Sequence, residues 1–124
     1  MTTQPATPPQ VIQSYAEDGF TVSGVRHEGA IVVLRTRTVA WTAPRDIAML
    51  TVADFAPVLD AGAEADIVLL GCGKRAALVS PALRAQLRKA GVAVEPMDSG
   101  AACRTFNLLQ MEGRRVAAML MPFA

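Results

Sequence analysis

Histidine and cysteine are scarce in this chain of 124 residues, which holds one histidine, His27, and two cysteines, Cys72 and Cys103. These three side chains cannot form a spaced zinc site unless carboxylates or other chains complete it. No CxxC pair is present either. The sequence therefore predicts no metal and no other cofactor, and it favours free thiols in a reducing compartment.

Aromatic residues and net charge are also low. One Trp, one Tyr and four Phe provide little material for a platform on which single-stranded nucleic acid could stack. Twelve Lys and Arg residues against eleven Asp and Glu residues give a formal charge of +1, so no strong positive field attracts a polyanion. We therefore expect no nucleic-acid partner.

Long apolar runs are missing as well. The longest, from Val116 to Ala124, has nine residues, whereas a membrane span needs about 20. The first ten residues, MTTQPATPPQ, have neither the basic flank nor the apolar centre of a targeting segment, and three of them are prolines. The sequence predicts a soluble, cytoplasmic protein in which a flexible arm (1–11) precedes one domain (12–124).

Short apolar segments make up most of the chain, which is 52% hydrophobic with a mean hydropathy of +0.31. Such a composition is typical of one globular domain. In the first third, alternating and β-branched residues predict strands at Phe20–Ser23, Ala30–Leu34 and Thr38–Trp41. Gly24 and the polar residues 26–29 predict a turn between the first two. This section is typical of β-hairpins with one solvated face.

The remaining two thirds alternate between helices and strands. The predicted elements are a helix after the capping pair Thr51 and Asp54, a strand at 66–70, a helix from Ser80–Pro81 to Gly91, a strand at 92–97, a helix at about 100–112 and a strand at 115–121. Strands joined by helices require right-handed crossovers and a sheet covered on both faces. The fold class is therefore α/β: one compact three-layer domain with about three helices, to which the N-terminal β-hairpin strands are added.

Two loops follow the carboxyl ends of predicted strands, where α/β proteins bind their ligands. They are Gly71-Cys72-Gly73 and Asp98-Ser99-Gly100, and they share one edge of the sheet if their strands are neighbours. The first loop fits the GxGxxA pattern of dinucleotide sites. That pattern needs a helix opening at once, however, and Ser80–Pro81 leaves too little room for it. We therefore expect no dinucleotide cofactor.

The second loop begins a helix that has two different interpretations. Asp98 or Ser99 can cap it, and Gly100 lets an anion approach its free N–H groups. Arg104 and Asn107 follow at helical spacing and could hold a carboxylate, a phosphate or the backbone of a partner. The alternative is a capped helix with a solvated edge of arginine and asparagine, in which the Thr105 side chain folds onto the backbone.

The two thiols also allow two interpretations. Cys72 and Cys103 come near each other if the two loops share an edge, and Cys103 lies in a first helical turn, where a thiolate is favoured. With a single histidine in a distant turn, however, a Cys–His catalytic pair is disfavoured. The sequence favours two small buried apolar side chains.

Several segments of the chain together form one pattern. They are Tyr15, Gly19-Phe20, Gly24, Gly29, Trp41, Asp54-Phe55, Gly71, Gly73, the run Met97-Asp98-Ser99-Gly100-Ala101-Ala102-Cys103-Arg104-Thr105-Phe106-Asn107, and Glu112-Gly113-Arg114-Arg115-Val116. This pattern resembles a small bacterial family of unknown function whose mitochondrial relative is an assembly factor for respiratory complex I. The likeness covers nearly everything after residue 12, and its most specific part is the segment 97–116.

The resemblance implies a compact α/β fold with a mixed central sheet, β-strands added on one side, and no established enzyme activity. Similar proteins carry Thr at positions 72 and 99 and Tyr at positions 27 and 106, which argues against an essential thiol at position 72. The positions that match without a known role are Gly71, Gly73, Ser99, Arg104, Thr105 and Asn107.

Three hypotheses about function follow. The first is a non-enzymatic binding protein that assists the assembly of respiratory complexes, with their subunits or the membrane-insertion machinery as partners and possible peripheral membrane association. The second is a binder of an anionic small molecule or nucleotide, or an enzyme acting on one, at the edge formed by Gly71–Gly73 and Ser99–Asn107. The third is a module that associates with itself through Trp41 or the C-terminal strand; the sequence leaves the oligomeric state open.

Overall fold

A five-stranded central sheet organises the fold of the computed structural model, which describes residues 9–60 and 65–123. The strands are β1 (Ile12–Ala16), β2 (Gly19–Val22), β3 (Val25–Glu28), β4 (Ile31–Val33), β5 (Thr38–Ala40), β6 (Ile67–Cys72), β7 (Ala93–Met97) and β8 (Val116–Met121). The helices are α1 (Ala56–Leu59), α2 (Pro81–Lys89) and α3 (Ser99–Met111), with 3-10 turns at Ile47–Met49 and Val52–Phe55. Most of the predicted arm, residues 1–8, lies outside the described residues, as does Ala124 at the end of the predicted domain.

The central sheet is mixed, and its strands follow the order β5-β4-β8-β6-β7. β6 runs parallel to both of its neighbours, β7 and β8, whereas β4 is antiparallel to β8. All residues of β8 are buried, as expected of a strand covered on both faces. β7 forms one edge of the sheet, the position in which a strand tolerates a proline such as Pro96.

Helices cover both faces of the central sheet. α2 buries Leu83 and Leu87 in an apolar core on one face, and α3 buries Ala102 and Phe106 in a second core on the other. The crossovers β6-α2-β7 and β7-α3-β8 therefore pass on opposite faces. This arrangement confirms the predicted three-layer α/β fold and the mixed sheet that the family resemblance implies.

A second sheet, in the order β1-β2-β3, lies beside α3. The predicted turn at residues 26–29 is wrong, because Val25–Glu28 is strand β3 and pairs antiparallel with β2. The turn is instead made by Ser23 and Gly24, both with positive φ, as tight hairpins with this hand of twist require. β3 is an exposed edge strand, so it lacks the apolar alternation by which a strand is recognised in a sequence.

The second sheet is held to the rest of the domain by apolar packing. Ile12, Phe20 and Val22 are buried in the same core as the inner face of α3. Strand β1 carries only one buried residue among its five, which is why its sequence gives no strand pattern. Tertiary contacts decide the conformation of this segment, and its local composition does not.

The segment capped by Thr51 is less regular than predicted. Asp54 accepts a hydrogen bond from the Thr51 backbone N–H at 2.8 Å, but a 3-10 turn follows, and α1 begins only where Pro57 falls in its first turn. Trp41 is 6% exposed, packs edge-on against Phe55 and donates from Nε1 to the Asp54 carbonyl at 2.8 Å. Trp41 therefore belongs to the core and cannot serve as an exposed anchor for a second copy.

Gly71 in β6 is a point of close approach between the central sheet and the start of α3. A Cβ atom at this position would lie 2.9 Å from Ser99 Oγ and 2.9 Å from Leu120 Cδ2. Protein interiors are too densely packed to absorb such contacts without movement. A larger residue at position 71 would therefore push α3 away from the sheet.

We expect Gly71→Ala to lower the free energy of unfolding by about 1–3 kcal/mol, because the added methyl overpacks a buried site. Urea denaturation followed by circular dichroism measures this change. Gly113→Ala is the control: nothing lies within 4 Å of its added Cβ, so only its positive φ opposes the substitution, by about 1 kcal/mol. A Gly71→Ala protein as stable as the wild type would contradict the close approach.

Candidate functional site

The two strand-end loops meet at one edge of the central sheet, as the parallel pairing of β6 and β7 requires. The Ser99 backbone N–H donates to the Gly73 carbonyl at 2.8 Å, and the Gly73 N–H donates to Ser99 Oγ at 2.9 Å. The end of β8 lies at the same edge because β8 is parallel to β6. We call this region the carboxyl-end edge; it comprises Cys72–Gly73, Asp98–Gly100 and Met121–Phe123, together with the side chains of Tyr15 and Arg104 that lie against them.

Ser99 joins the three parallel strands at this edge. Its fully buried hydroxyl accepts from the Gly73 N–H and donates to the Met121 carbonyl at 2.6 Å. One hydroxyl therefore links the loop after β6, the helix after β7 and the end of β8. Both hydrogen bonds of the hydroxyl are made with backbone atoms. Ser99 therefore holds the carboxyl-end edge together from inside the protein and is not exposed to a ligand.

The N-terminus of α3 is occupied by side chains of the protein itself. Asp98 Oδ1 accepts from the Ala101 N–H at 2.8 Å and so caps the helix. Gly100 is buried, and a Cβ placed on it would lie 3.0 Å from Tyr15 Oη. The Ser99 N–H donates to the Gly73 carbonyl, so two of the N–H groups that a bound anion would need already have partners within the protein. The geometry favours the capped helix over the anion site.

Tyr15 and Arg104 form the exposed part of this region. Arg104 Nη1 donates to Tyr15 Oη at 3.0 Å, and the Tyr15 ring stacks on Phe123 with 5.2 Å between centroids. Tyr15 remains 42% exposed, and Arg104 is exposed as well. Sequence reasoning chose Arg104 but missed Tyr15 and Phe123 as parts of the site. The only signal for Tyr15 is the family resemblance, because it lies 89 residues from Arg104 in the chain.

Asn107 does not act together with Arg104. Its Oδ1 accepts from the Ile12 N–H at 2.9 Å, and its Nδ2 donates to the Ile12 carbonyl at 2.8 Å. The carboxamide thereby satisfies both polar backbone groups of a residue in the edge strand β1. Thr105 is partly buried beside it on α3. Asn107 fixes the position of the second sheet and leaves Arg104 as the exposed cation of the predicted pair.

Both thiols have pKa values above that of a free cysteine. Burial raises the pKa of the Cys72 thiol and raises the pKa of Cys103 to about 12. Cys103 is the fifth residue of α3, which begins at Ser99, so its predicted position in the first turn is wrong, and burial has the largest effect on its pKa. Cys72 lines a cleft of about 170 Å³ with Arg45, Met121 and Pro122, and both cysteines are free. Neither thiol has the low pKa that a nucleophile needs.

Metal-binding and membrane-spanning features were sought over the described parts of the chain. Within residues 9–60 and 65–123, no three His, Cys, Asp or Glu side chains cluster as metal ligands would. None of the helices in these two ranges is both long enough and apolar enough to span a bilayer. His27 lies on β3 opposite Phe20, on the sheet that packs beside α3.

We expect Ser99→Ala to destabilise the protein by about 2–4 kcal/mol, because it leaves a buried N–H and a buried carbonyl without a partner. Urea denaturation measures the loss. Ser80→Ala is the matched control: Ser80 is an exposed helix cap that accepts only from the Leu83 N–H, so its loss should be about 1 kcal/mol. Equal losses in the two variants would contradict the role of Ser99 at the edge.

We expect native Cys103 to resist alkylation by iodoacetamide at pH 8, where a thiol of pKa about 12 is ionised in only about one molecule in ten thousand. Because its pKa is raised, the alkylation rate should keep increasing with pH above 9. Mass spectrometry of the labelled protein, native and in urea, measures the rates. The prediction fails if native Cys103 reacts as fast as it does in urea.

The chain is similar to several known proteins. Residues 12–121 match the family described as a protein of unknown function (DUF498/DUF598). An uncharacterized protein of Rhodobacter capsulatus is 32% identical over 111 residues, which cover 90% of this chain and 83% of that protein. NADH dehydrogenase (ubiquinone) 1 alpha subcomplex assembly factor 3 of Mus musculus is 35% identical over 113 residues. This match covers 90% of the chain but only 60% of the mouse protein.

The fold is also found in a solved structure. A crystal structure of a Bordetella parapertussis protein superposes with a TM-score of 0.82 at 34% identity, and the match covers 95% of this chain and 99% of that one. Sequence and fold thus agree over nearly the whole length, and the resemblance carried by the segment 97–116 is confirmed. The chain belongs to the DUF498/DUF598 family.

Proposed function

We propose that this chain is a non-enzymatic binding protein that assists the assembly of a membrane-bound respiratory complex of the complex I type. The observation that carries the proposal is its 35% identity over 113 residues to a mouse protein named as an assembly factor of NADH dehydrogenase. Similar matches to assembly factor 3 of Bos taurus and Danio rerio support it. The partners in this proposal are subunits of the complex or the machinery that inserts them.

The partner-binding surface in this proposal is the exposed part of the carboxyl-end edge, centred on Tyr15 and Arg104. Tyrosine and arginine contribute a large share of binding energy in protein interfaces. The hydrogen bond between them and the stacking of Tyr15 on Phe123 fix both side chains before a partner arrives, which reduces the entropy lost on binding. Gly71, Cys72, Gly73, Asp98, Ser99 and Gly100 support this surface from beneath.

Binding is better supported than catalysis or anion capture. Cys72 and Cys103 have raised pKa values, and Asp98 occupies the position in which an anionic ligand would meet the N-terminus of α3. We further propose that the protein acts in the cytoplasm and contacts the membrane peripherally through its partners.

We expect Arg104→Ala to abolish most of the capture of respiratory subunits from gently solubilised membranes and cytosol of the source cells, read by quantitative mass spectrometry. Arg104 is exposed, so the substitution should change stability by less than about 1 kcal/mol. Tyr15→Phe, which removes only the phenol partner of Arg104, should weaken capture partially.

Arg88→Ala is the control, because Arg88 is an exposed arginine on α2 and its removal changes the net charge equally. Capture of the same subunits by the wild type and the Arg104→Ala variant would reject the surface while leaving the assembly role intact. Failure of the wild type to capture any respiratory subunit or insertion factor would count against the assembly role itself.

A further inference from the structure

Strand β3 forms the outer edge of the second sheet, and its outer side is open. The sheet has the order β1-β2-β3, so within the described residues β3 pairs with β2 alone. None of its four residues is buried, and Val25 is 57% exposed. An uncovered strand edge presents unpaired N–H and C=O groups, to which another strand can add.

The other three edge strands are less suited to such pairing. The Asn107 carboxamide holds both polar backbone groups of Ile12 in β1. Pro96 lies in β7, where it cannot donate to a ladder of hydrogen bonds, and β5 has only three residues. Strand β3 is therefore the edge most open to a second strand.

The hairpin between β2 and β3 fixes which backbone groups of β3 face outward. Because its turn has two residues, Val22 and Val25 form a hydrogen-bonded pair. Hydrogen-bonded pairs recur at every second residue of an antiparallel ladder, so the next one is Phe20 with His27. The polar backbone groups of Val25 and His27 are therefore turned toward β2.

Arg26 and Glu28 alternate with these residues, so their backbone groups point away from β2. The hydrogen bond of Gly29 fits the same alternation, because its N–H donates to the Asp18 carbonyl at 2.8 Å. The N–H and C=O groups of Arg26 and Glu28 are thus the ones that β3 offers to another strand. We call this outer side of Val25–Glu28 the β3 edge.

The side chains of Arg26 and Glu28 give the β3 edge two opposite charges in a fixed order. Both are exposed, and both lie on the face of the sheet opposite to His27, which is paired with the buried Phe20. Arg26 forms an ion pair with Asp18, and these two side chains are 42% and 67% exposed. A guanidinium has five N–H donors, so Arg26 can hold a second carboxylate at the same time.

We propose that the β3 edge pairs antiparallel with the β3 edge of a second copy of this chain, with Arg26 opposite Glu28 of that copy. The outward backbone groups allow three registers, which set Arg26 opposite Arg26, Glu28 opposite Glu28, or Arg26 opposite Glu28. The first two place like charges directly opposite each other, which is destabilising, whereas the third forms two pairs of opposite charge. The third register also forms four backbone hydrogen bonds, because each of its two pairs exchanges two.

The order Arg26-His27-Glu28 makes the β3 edge complementary to itself. Reversing the strand exchanges the two charges about His27, so a two-fold axis at His27 satisfies both copies equally. Val25 then lies diagonally across from His27 of the second copy, which covers part of its exposed apolar surface. An unrelated strand would need the same two charges at the same spacing, whereas a second copy has them in its own sequence.

Sedimentation velocity of the full-length protein tests the dimer. Paired strands this short form an interface of less than about 1,200 Å², so the measurements extend from about 10 µM to about 1 mM. We expect the wild type to change from monomer to dimer within this range. Arg26→Glu and Glu28→Arg should each dimerise at least about tenfold more weakly, because each places like charges opposite in both pairs. A wild type that stays monomeric throughout would overturn the proposal.

Mixing the two variants separates the register from a folding defect. In a heterodimer of Arg26→Glu with Glu28→Arg, both pairs again oppose unlike charges, so an equimolar mixture should dimerise about as tightly as the wild type. Arg88→Glu is the control, because it reverses the charge of an exposed arginine on α2 and should leave the dimer unchanged. A mixture that stays monomeric, single variants that dimerise like the wild type, or an equal loss in the control would contradict the register.

Amide hydrogen exchange, followed by NMR, locates the interface. The N–H groups of Arg26 and Glu28 should exchange more slowly as the protein concentration rises, because the dimer gives them acceptors. The His27 N–H is already in the ladder with Phe20, so its exchange should change little. Protection that rises with concentration at other residues but not at Arg26 and Glu28 would place the interface elsewhere and overturn the proposal. These results do not depend on Arg104 or on the proposed function.

Discussion

The Ser99 hydroxyl at the ends of the parallel strands is the interaction on which the geometry of the domain depends. It accepts from the loop after β6 and donates to the end of β8, while its own backbone begins α3. The carboxyl ends of β6, β7 and β8 are thereby held at fixed distances from one another by a buried side chain. Gly71 is required beneath it, because any side chain there would meet Ser99. The direction of α3 across the sheet follows from these contacts.

Once α3 is fixed, it positions the second sheet. The Asn107 carboxamide holds both backbone groups of Ile12, and Phe20 packs into the core under Phe106 and its neighbours. Because β1 is an edge strand, its pairing with Asn107 also removes a place at which another chain could add a strand. Tyr15, carried on the same strand, consequently reaches Arg104 at the start of α3. The hydrogen bonds between Asn107 and Ile12 thus determine where the exposed pair of Tyr15 and Arg104 lies.

The sequence predicts the central layers well and the surface poorly, and the reason is physical. Continuous apolar runs and capping residues mark β6, α2, α3 and β8, since those elements are buried or begin at a recognisable cap. Strand β3 is solvated and has no such pattern. The contacts of Asn107 and Arg104 reach residues 95 and 89 positions away, and no local rule predicts them. The sequence predicts that Asp98 and Ser99 lie at the carboxyl-end edge, but it does not show that their side chains form hydrogen bonds with backbone groups there.

The polar side chains at and near the carboxyl-end edge mainly satisfy backbone groups. The hydroxyl of Ser99, the carboxylate of Asp98 and the carboxamide of Asn107 all satisfy backbone groups, and burial keeps Cys103 protonated. These hydrogen bonds hold the strand ends and the start of α3 in one rigid frame. A rigid frame loses little entropy when a partner docks. Tyr15 and Arg104, which remain exposed at the start of α3, are held by this frame in a position that suits the proposed binding function.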